Sequence, residues 1–152
     1  DLDFREYSLD DVIRQAVRKY SRMFILKRIR LDFTETGRTV LTDEKWLVFV
    51  LEQILSNALK YTKEGSISIY MEGDELAIRD TGIGISPEDL PRVFEKGFTG
   101  YNGRRDKKST GIGLYLCKSV LDRLGHKIRI QSEVGRGTKV LLNLEREELR
   151  PE

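Results

Sequence analysis

The sequence predicts an α+β fold, a two-layer sandwich in which a mixed, mostly antiparallel sheet is covered on one face by three helices. Apolar residues recur at helical spacing in three separate segments, and short strand-like segments lie before, between and after them. The elements run strand–helix–strands–helix–hairpin–loop–helix–hairpin. Simple strand–helix–strand alternation, which would place helices on both faces of a sheet, cannot give that order.

Leu2 to Tyr7 alternates apolar and polar residues and predicts a short strand. Ser8, followed by Asp11, resembles a capping box. Leu9, Val12, Ile13, Ala16, Val17 and Tyr20 then mark an amphipathic helix from Leu9 to about Phe24. Ile29–Phe33 and Thr39–Leu41 are strand-like, with a turn at Gly37 between them. Asp43 to Tyr61 gives the strongest helical pattern: Trp46, Val50, Ile54, Ala58 and Tyr61 stack on one side, and Leu47, Leu51 and Leu55 widen the stripe. Ser66–Met71 and Glu75–Arg79 flank Gly73-Asp74 as a hairpin. Ser86-Pro87-Glu88-Asp89 combines a cap, a proline and early acids, which predicts a short helix. Glu95 to Ser109 is rich in Gly, Lys, Arg and Asn without an apolar period and reads as a loop. Thr110 to Gly125 is helical again. Ile128–Ile130 and Thr138–Leu144 predict a last hairpin around Gly135 and Gly137, and 145–152 is a charged tail.

The 152 residues suit one domain, and 39% hydrophobic with 34% charged residues is a globular composition. A net charge of +2, from 27 basic and 25 acidic residues, gives no field that points to nucleic acid or membrane lipid as the default partner, so a functional basic site would have to be local. Cys117 is the only cysteine, which excludes an intrachain disulfide and a cysteine-built zinc site. No apolar run approaches the roughly 18 residues of a membrane span. Opening on Asp1-Leu2-Asp3-Phe4, without an initiator Met, the chain reads as a piece of a longer protein.

Three clusters carry chemistry. Asn57, Lys60 and Tyr61 share one face at the end of the long helix: a neutral oxygen ligand suited to Mg²⁺, an ammonium for phosphate and a ring for a base. Asp80-Thr81-Gly82-Ile83-Gly84-Ile85 follows a strand. Its two glycines permit close approach of backbone to a flat ligand, and Asp80 can accept a hydrogen bond from an exocyclic amine. It is no dinucleotide fingerprint, because the third glycine is absent. Gly111-Ile112-Gly113-Leu114 opens a helix, where bare backbone N–H groups form an anion site, and Arg104, Arg105, Lys107 and Lys108 lie just upstream. Each cluster taken singly also has a plain structural reading as a solvated helix end, a turn or a helix start.

In this order the clusters resemble the nucleotide-binding domain of bacterial sensor histidine kinases, within the GHKL group that includes gyrase and heat-shock chaperones. Glu52–Thr62 is similar to the N box, Asp80–Ile85 to the first glycine box, Phe94–Phe98 to the F box and Gly111–Leu114 to the second glycine box. The resemblance implies ATP and Mg²⁺ as ligands. It assigns Asn57, with Gln53 one turn before it, to the metal and to catalysis, Lys60 to phosphate and Tyr61 to the side of the adenine. It assigns Asp80 to the adenine amino group, Gly82, Gly84 and Ile85 to the base pocket, and Thr138 to water-mediated support. Phe98 and the loop to Thr110 would form the ATP lid, about 95–110. Either Arg104 or Lys108 would reach the γ-phosphate, and Thr110, Gly111, Ile112, Gly113 and Leu114 would flank the phosphates.

Family kinases usually carry Asn where Gln53 stands, and hydrolysing relatives carry a Glu that activates water. Gln53 cannot act as a base, which favours phosphoryl transfer over hydrolysis. The accepting histidine of such kinases lies on a separate dimerisation domain, and His126, the only histidine, is expected to be structural. The resemblance further implies a cytoplasmic domain of a cell-membrane protein, monomeric when isolated, serving a response regulator through its parent. Phe94–Gly100, Ser109–Lys118 and Phe24–Lys27 look like the intramembrane-sensing, bacitracin-type kinases of Firmicutes, which work with peptide-detoxification ABC transporters. The readings that compete with a kinase are a stand-alone ATPase of the same group and a nucleotide-dependent interaction module.

Overall fold

A computed structural model of the chain describes residues 1–98 and 113–145. Its elements are β1 (Arg5–Ser8), α1 (Leu9–Lys27), β2 (Arg30–Phe33), β3 (Thr39–Thr42), α2 (Glu44–Tyr61), β4 (Ser66–Glu72), β5 (Glu75–Asp80), α3 (Gly113–Leu124), β6 (Lys127–Glu133) and β7 (Gly137–Asn143). Five strands form one sheet in the order β2-β4-β5-β7-β6, while β1 and β3 pair antiparallel as a separate ribbon. Only β2 and β4 run parallel, so the main sheet is mixed and mostly antiparallel.

Local signals set the helix starts. Ser8 Oγ accepts the Asp11 N–H, and Asp43 accepts the Trp46 N–H, each satisfying a donor that a first turn leaves orphaned. α1 runs three residues past its expected end and stops where Arg28 enters the left-handed region (φ 57°), its N–H closing on the Ile25 carbonyl. Asp10 is buried and accepts from Thr36 N–H, Thr36 Oγ1 and Gly37 N–H, so the first turn of α1 holds the link between β2 and β3. This explains why the two strand-like segments around Gly37 belong to different sheets.

The expected helix after Ser86 does not form. Ser86 does cap, accepting the Asp89 N–H, but only a 3₁₀ turn follows at Leu90–Arg92. Pro91 has no N–H to continue an α-helical ladder, which limits the segment to turns.

The core lies between sheet and helices. Register aligns Ile69, Ile78, Val140 and Ile130 in one cross-strand row, and Met71, Leu76, Leu142 and Ile128 in the next. Against these rows α1 lays Ile13 and Ala16, α2 lays Leu47, Ile54 and Leu55, and α3 lays Cys117 and Leu121, all buried. Cys117 sits against the Val50 carbonyl, and burial pushes its thiol up to about 12. His126, just after α3, is 2% exposed and shares a hydrogen bond with Thr42 Oγ1 (2.9 Å).

Candidate nucleotide site

Alternation along strands builds the site. Asp80 lies two residues beyond Ile78, Thr138 two before Val140 and Ser132 two beyond Ile130, so all three point to the helix-covered face. Register places Asp80 opposite Thr138, and Thr138 opposite Ser132. A polar row therefore extends the apolar rows of the core at one end of the sheet.

Within that row Asp80 is 8% exposed. Its Oδ1 accepts the Gly82 N–H (2.9 Å) and the Thr138 N–H (3.2 Å), while Oδ2 takes no hydrogen bond from any described residue. Burial raises the Asp80 pKa, an effect only partly offset by the two N–H donors. Thr138 Oγ1 and Ser132 Oγ lie 2.9 Å apart, and Ser132 Oγ also accepts the Ile85 N–H (2.8 Å). Ser132 thus ties the far end of the glycine loop to the sheet. Sequence reasoning missed it, because its role depends on a register that no local pattern reveals.

The two loop glycines also permit close contacts within the protein itself. A Cβ on Gly82 would lie 2.3 Å from the Tyr61 carbonyl oxygen, and one on Gly84 (φ +77°) would lie 2.1 Å from that of Glu133. Both residues let backbone approach backbone, which closes the loop onto the end of α2 and onto the β6–β7 turn. Hydrogen bonds from Ile83 N–H to Tyr61 O (3.1 Å) and from Gly135 N–H to Ile83 O (2.8 Å) seal the two contacts. Gly137, read from the sequence as a turn residue, repeats the device: its Cβ would lie 2.0 Å from the Asp80 carbonyl oxygen.

The Ile83–Tyr61 bond brings the last turn of α2 to the pocket's edge. Gln53 and Asn57, one turn apart, are half-buried, and their side chains make no hydrogen bond to a described residue. Lys60 Nζ lies 5.5 Å from the centre of the Tyr61 ring. Gly113, at the start of α3, sits beside Gln53: a Cβ there would be 3.8 Å from Gln53 Oε1. Gly113, the described glycine of the second glycine box, therefore lies beside the N box, and Leu114 after it is half-buried. In the F box, Arg92 covers the Phe98 ring at 4.8 Å, and Lys96 Nζ lies 5.8 Å from the centre of the Tyr115 ring on α3. Arg104, Lys108, Thr110, Gly111 and Ile112 lie outside the described residues, as do most of the expected lid and the tail beyond Glu145.

Among the described residues the arrangement brings a buried carboxylate, two half-buried amides, a lysine and Gly113 at a helix start to one end of the sheet. Residues 42–148 match the family described as histidine kinase-, DNA gyrase B- and HSP90-like ATPase. The chain belongs to that family. Among its curated relatives are sensor kinases. The Bacillus subtilis (strain 168) sensor protein BceS is 38% identical over 142 residues, covering 91% of this chain and 42% of that protein. The Staphylococcus aureus (strain N315) sensor protein kinase GraS is 48% identical over 147 residues, covering 93% and 42%. The chain thus spans less than half the length of these relatives. Among solved structures, full-length ShkA in complex with AMPPNP superposes with a TM-score of 0.78 at 22% identity, over 93% of this chain and 31% of that one. The nucleotide-free catalytic domain of the histidine kinase ThkA gives 0.76 at 21%, over 93% and 94%. These two share the fold.

Proposed function

We propose that the chain binds Mg·ATP at the junction of α2, the glycine loop and the β5–β7 end of the sheet. From there it donates the γ-phosphoryl group to a histidine on a separate dimerisation domain of a longer sensor kinase in two-component signalling. One observation carries the reading: Asp80 is buried, fixed through Oδ1 by two backbone donors, and has Oδ2 left to accept. That oxygen suits the exocyclic amine of adenine and repels the carbonyl that guanine carries at the same place. Tyr61 flanks the base, and Thr138 with Ser132 backs it through bound water.

The phosphate chain would run from this pocket toward Asn57, Lys60 and the start of α3. Asn57 and Gln53 fit a hard divalent cation, since they offer neutral oxygens that the described residues leave uncommitted. Mg²⁺, when bound, neutralises the phosphates and aligns the γ-phosphoryl group for in-line attack. The side chains need only position charge, for phosphoryl transfer asks little covalent chemistry of the protein. Gln53, lacking a basic group, leaves water unactivated. Phe98, Thr110, Gly111, Ile112, Gly113 and Leu114 would close over the phosphates, with Arg104 or Lys108 on the γ-phosphate.

By the same reading the whole protein is a cell-membrane sensor with this part in the cytoplasm. It passes its phosphoryl group to a response regulator, and the resemblance of Phe94–Gly100, Ser109–Lys118 and Phe24–Lys27 to bacitracin-type kinases supports a peptide-detoxification ABC transporter as a further partner. The chain is mixed with labelled ATP, Mg²⁺ and its parent's dimerisation domain to test the transfer. Label should appear on that domain in an acid-labile bond, and Asn57→Ala should slow its appearance at least about tenfold. Label on His126, or steady phosphate release without the acceptor domain, would contradict the proposal.

A further inference from the structure

The outward face of α1 is built unlike a solvated helix surface. At about 100° per residue, Arg18, Arg22, Ile25 and Leu26 fall within roughly 100° of arc, diametrically opposite the buried Leu9, Ile13, Ala16 and Phe24. Ile25 is 74% exposed, Leu26 69% and Met23 44%. Exposed aliphatic side chains scattered singly need no explanation, but these three occupy the last two turns of one helix. From Ala16 to Leu31 the chain also holds Arg18, Lys19, Arg22, Lys27, Arg28 and Arg30, and no acidic residue. Lys19 meets Glu52, Arg30 pairs with Asp32, and Lys27 donates to the Leu59 carbonyl. Arg18, Arg22 and Arg28 make no ion pair with a described residue. The near-neutral chain thus concentrates unpaired cations around an apolar tip.

We infer that this tip of α1, with Ile25 and Leu26 flanked by Arg18, Arg22 and Arg28, docks on an anionic lipid surface. Charge complementarity selects the occupant. Aliphatic side chains enter the acyl boundary while cations at the rim meet the headgroups, the pattern of interfacial helices. The patch lies at a helix end, where Arg28 turns the chain back toward β2; a bilayer needs no matching groove. A second copy fits poorly, since a two-fold contact through this face would set Arg22 close to its own symmetry mate. The inference is independent of the nucleotide site, none of whose residues it uses.

The test is co-sedimentation of the 152-residue chain with vesicles of phosphatidylglycerol mixed with phosphatidylcholine, and with phosphatidylcholine alone. Binding should require the anionic lipid and fall as KCl is raised. Each cation removed should weaken partitioning by about fivefold, so Arg18→Gln with Arg22→Gln should lower it about 25-fold. Ile25→Ser with Leu26→Ser should lower it by at least about tenfold. Both double variants should retain wild-type thermal unfolding, since the replaced side chains face outward. Three outcomes would overturn the inference: equal binding to neutral vesicles, no binding to anionic ones, or variants that bind like wild type. A wild-type dimer in solution that Ile25→Ser dissociates would assign the face to a second copy instead.

Discussion

Gly82→Ala tests whether the glycine loop is shaped by backbone contact. The added Cβ would lie 2.3 Å from the Tyr61 carbonyl oxygen, 2.9 Å from its carbon and 2.8 Å from Thr62 Oγ1. Two of those atoms are backbone at the end of α2, so neither can swing aside as a flexible side chain would. The loop must lift, which breaks the Ile83 N–H to Tyr61 O bond and pulls the Gly82 N–H from Asp80. Overpacking costs about 1–3 kcal/mol and a lost hydrogen bond about 1 kcal/mol, so destabilisation should be about 2–4 kcal/mol. At about 2–4 °C per kcal/mol for a domain of this size, Tm should drop by roughly 5–15 °C in thermal unfolding followed by circular dichroism. Gly113→Ala is the comparison, because among the described residues its Cβ meets only Gln53 Oε1, at an ordinary 3.8 Å; its Tm should stay near wild type. A Gly82→Ala protein with wild-type Tm would refute the reasoning.

Two further changes probe the supports of the site and of the first helix. Ser132→Ala removes the acceptor of the Ile85 N–H and the neighbour of Thr138 Oγ1, and should weaken binding of an ATP analogue about 3- to 10-fold by calorimetry; unchanged affinity would remove Ser132 from the pocket. Asp10 concerns acid stability. Burial alone would raise its pKa, but the hydrogen bonds from Thr36 and Gly37, with Arg14 nearby, outweigh it and hold the carboxyl below the usual range. A lowered acid pKa stabilises the fold above the unfolded value, about pH 4, and that contribution vanishes as pH falls through the folded value. Asp10→Asn should therefore destabilise at pH 7 and flatten the loss of stability below about pH 4 in urea titrations. A parallel acid limb in variant and wild type would contradict this.

Asp80 has the opposite sign. Its raised pKa means that the fold favours the protonated carboxyl, so stability is highest below the unfolded value and declines as pH rises through the folded one. At neutral pH the charged form is kept at a cost to the fold. An uncharged amide there should therefore leave stability at pH 7 intact or slightly improved.

Much of this was legible in the sequence because the relevant signals are local. Caps at Ser8 and Asp43, apolar periodicity in α2 and the Gly73-Asp74 turn each act within a few residues. The chemistry and spacing of Asn57, Lys60 and Asp80 are local signals too, and they motivate the proposed site. The unread parts depend on contacts between distant segments. Strand character at Leu2–Tyr7 and Thr39–Leu41 carried no sign that β1 and β3 would leave the main sheet. Ser132 and Gly137 matter only through the β6–β7–β5 register, and the loop glycines serve neighbouring backbone. The segment after Ser86 failed for a local reason, since the weight given to the cap and Pro87 overlooked Pro91 four residues on.

The central claim, that a buried aspartate at the sheet's end selects adenine, is tested most directly by calorimetric titration of wild type and Asp80→Asn with Mg·AMPPNP. The amide keeps one acceptor for Gly82 and Thr138 but turns an NH₂ group toward the base. A hydrogen bond to a charged group contributes about 1.5–3 kcal/mol, so affinity should fall about 10- to 150-fold while Tm without nucleotide is unchanged. Equal affinity in the two proteins, with both folded, would contradict the claim.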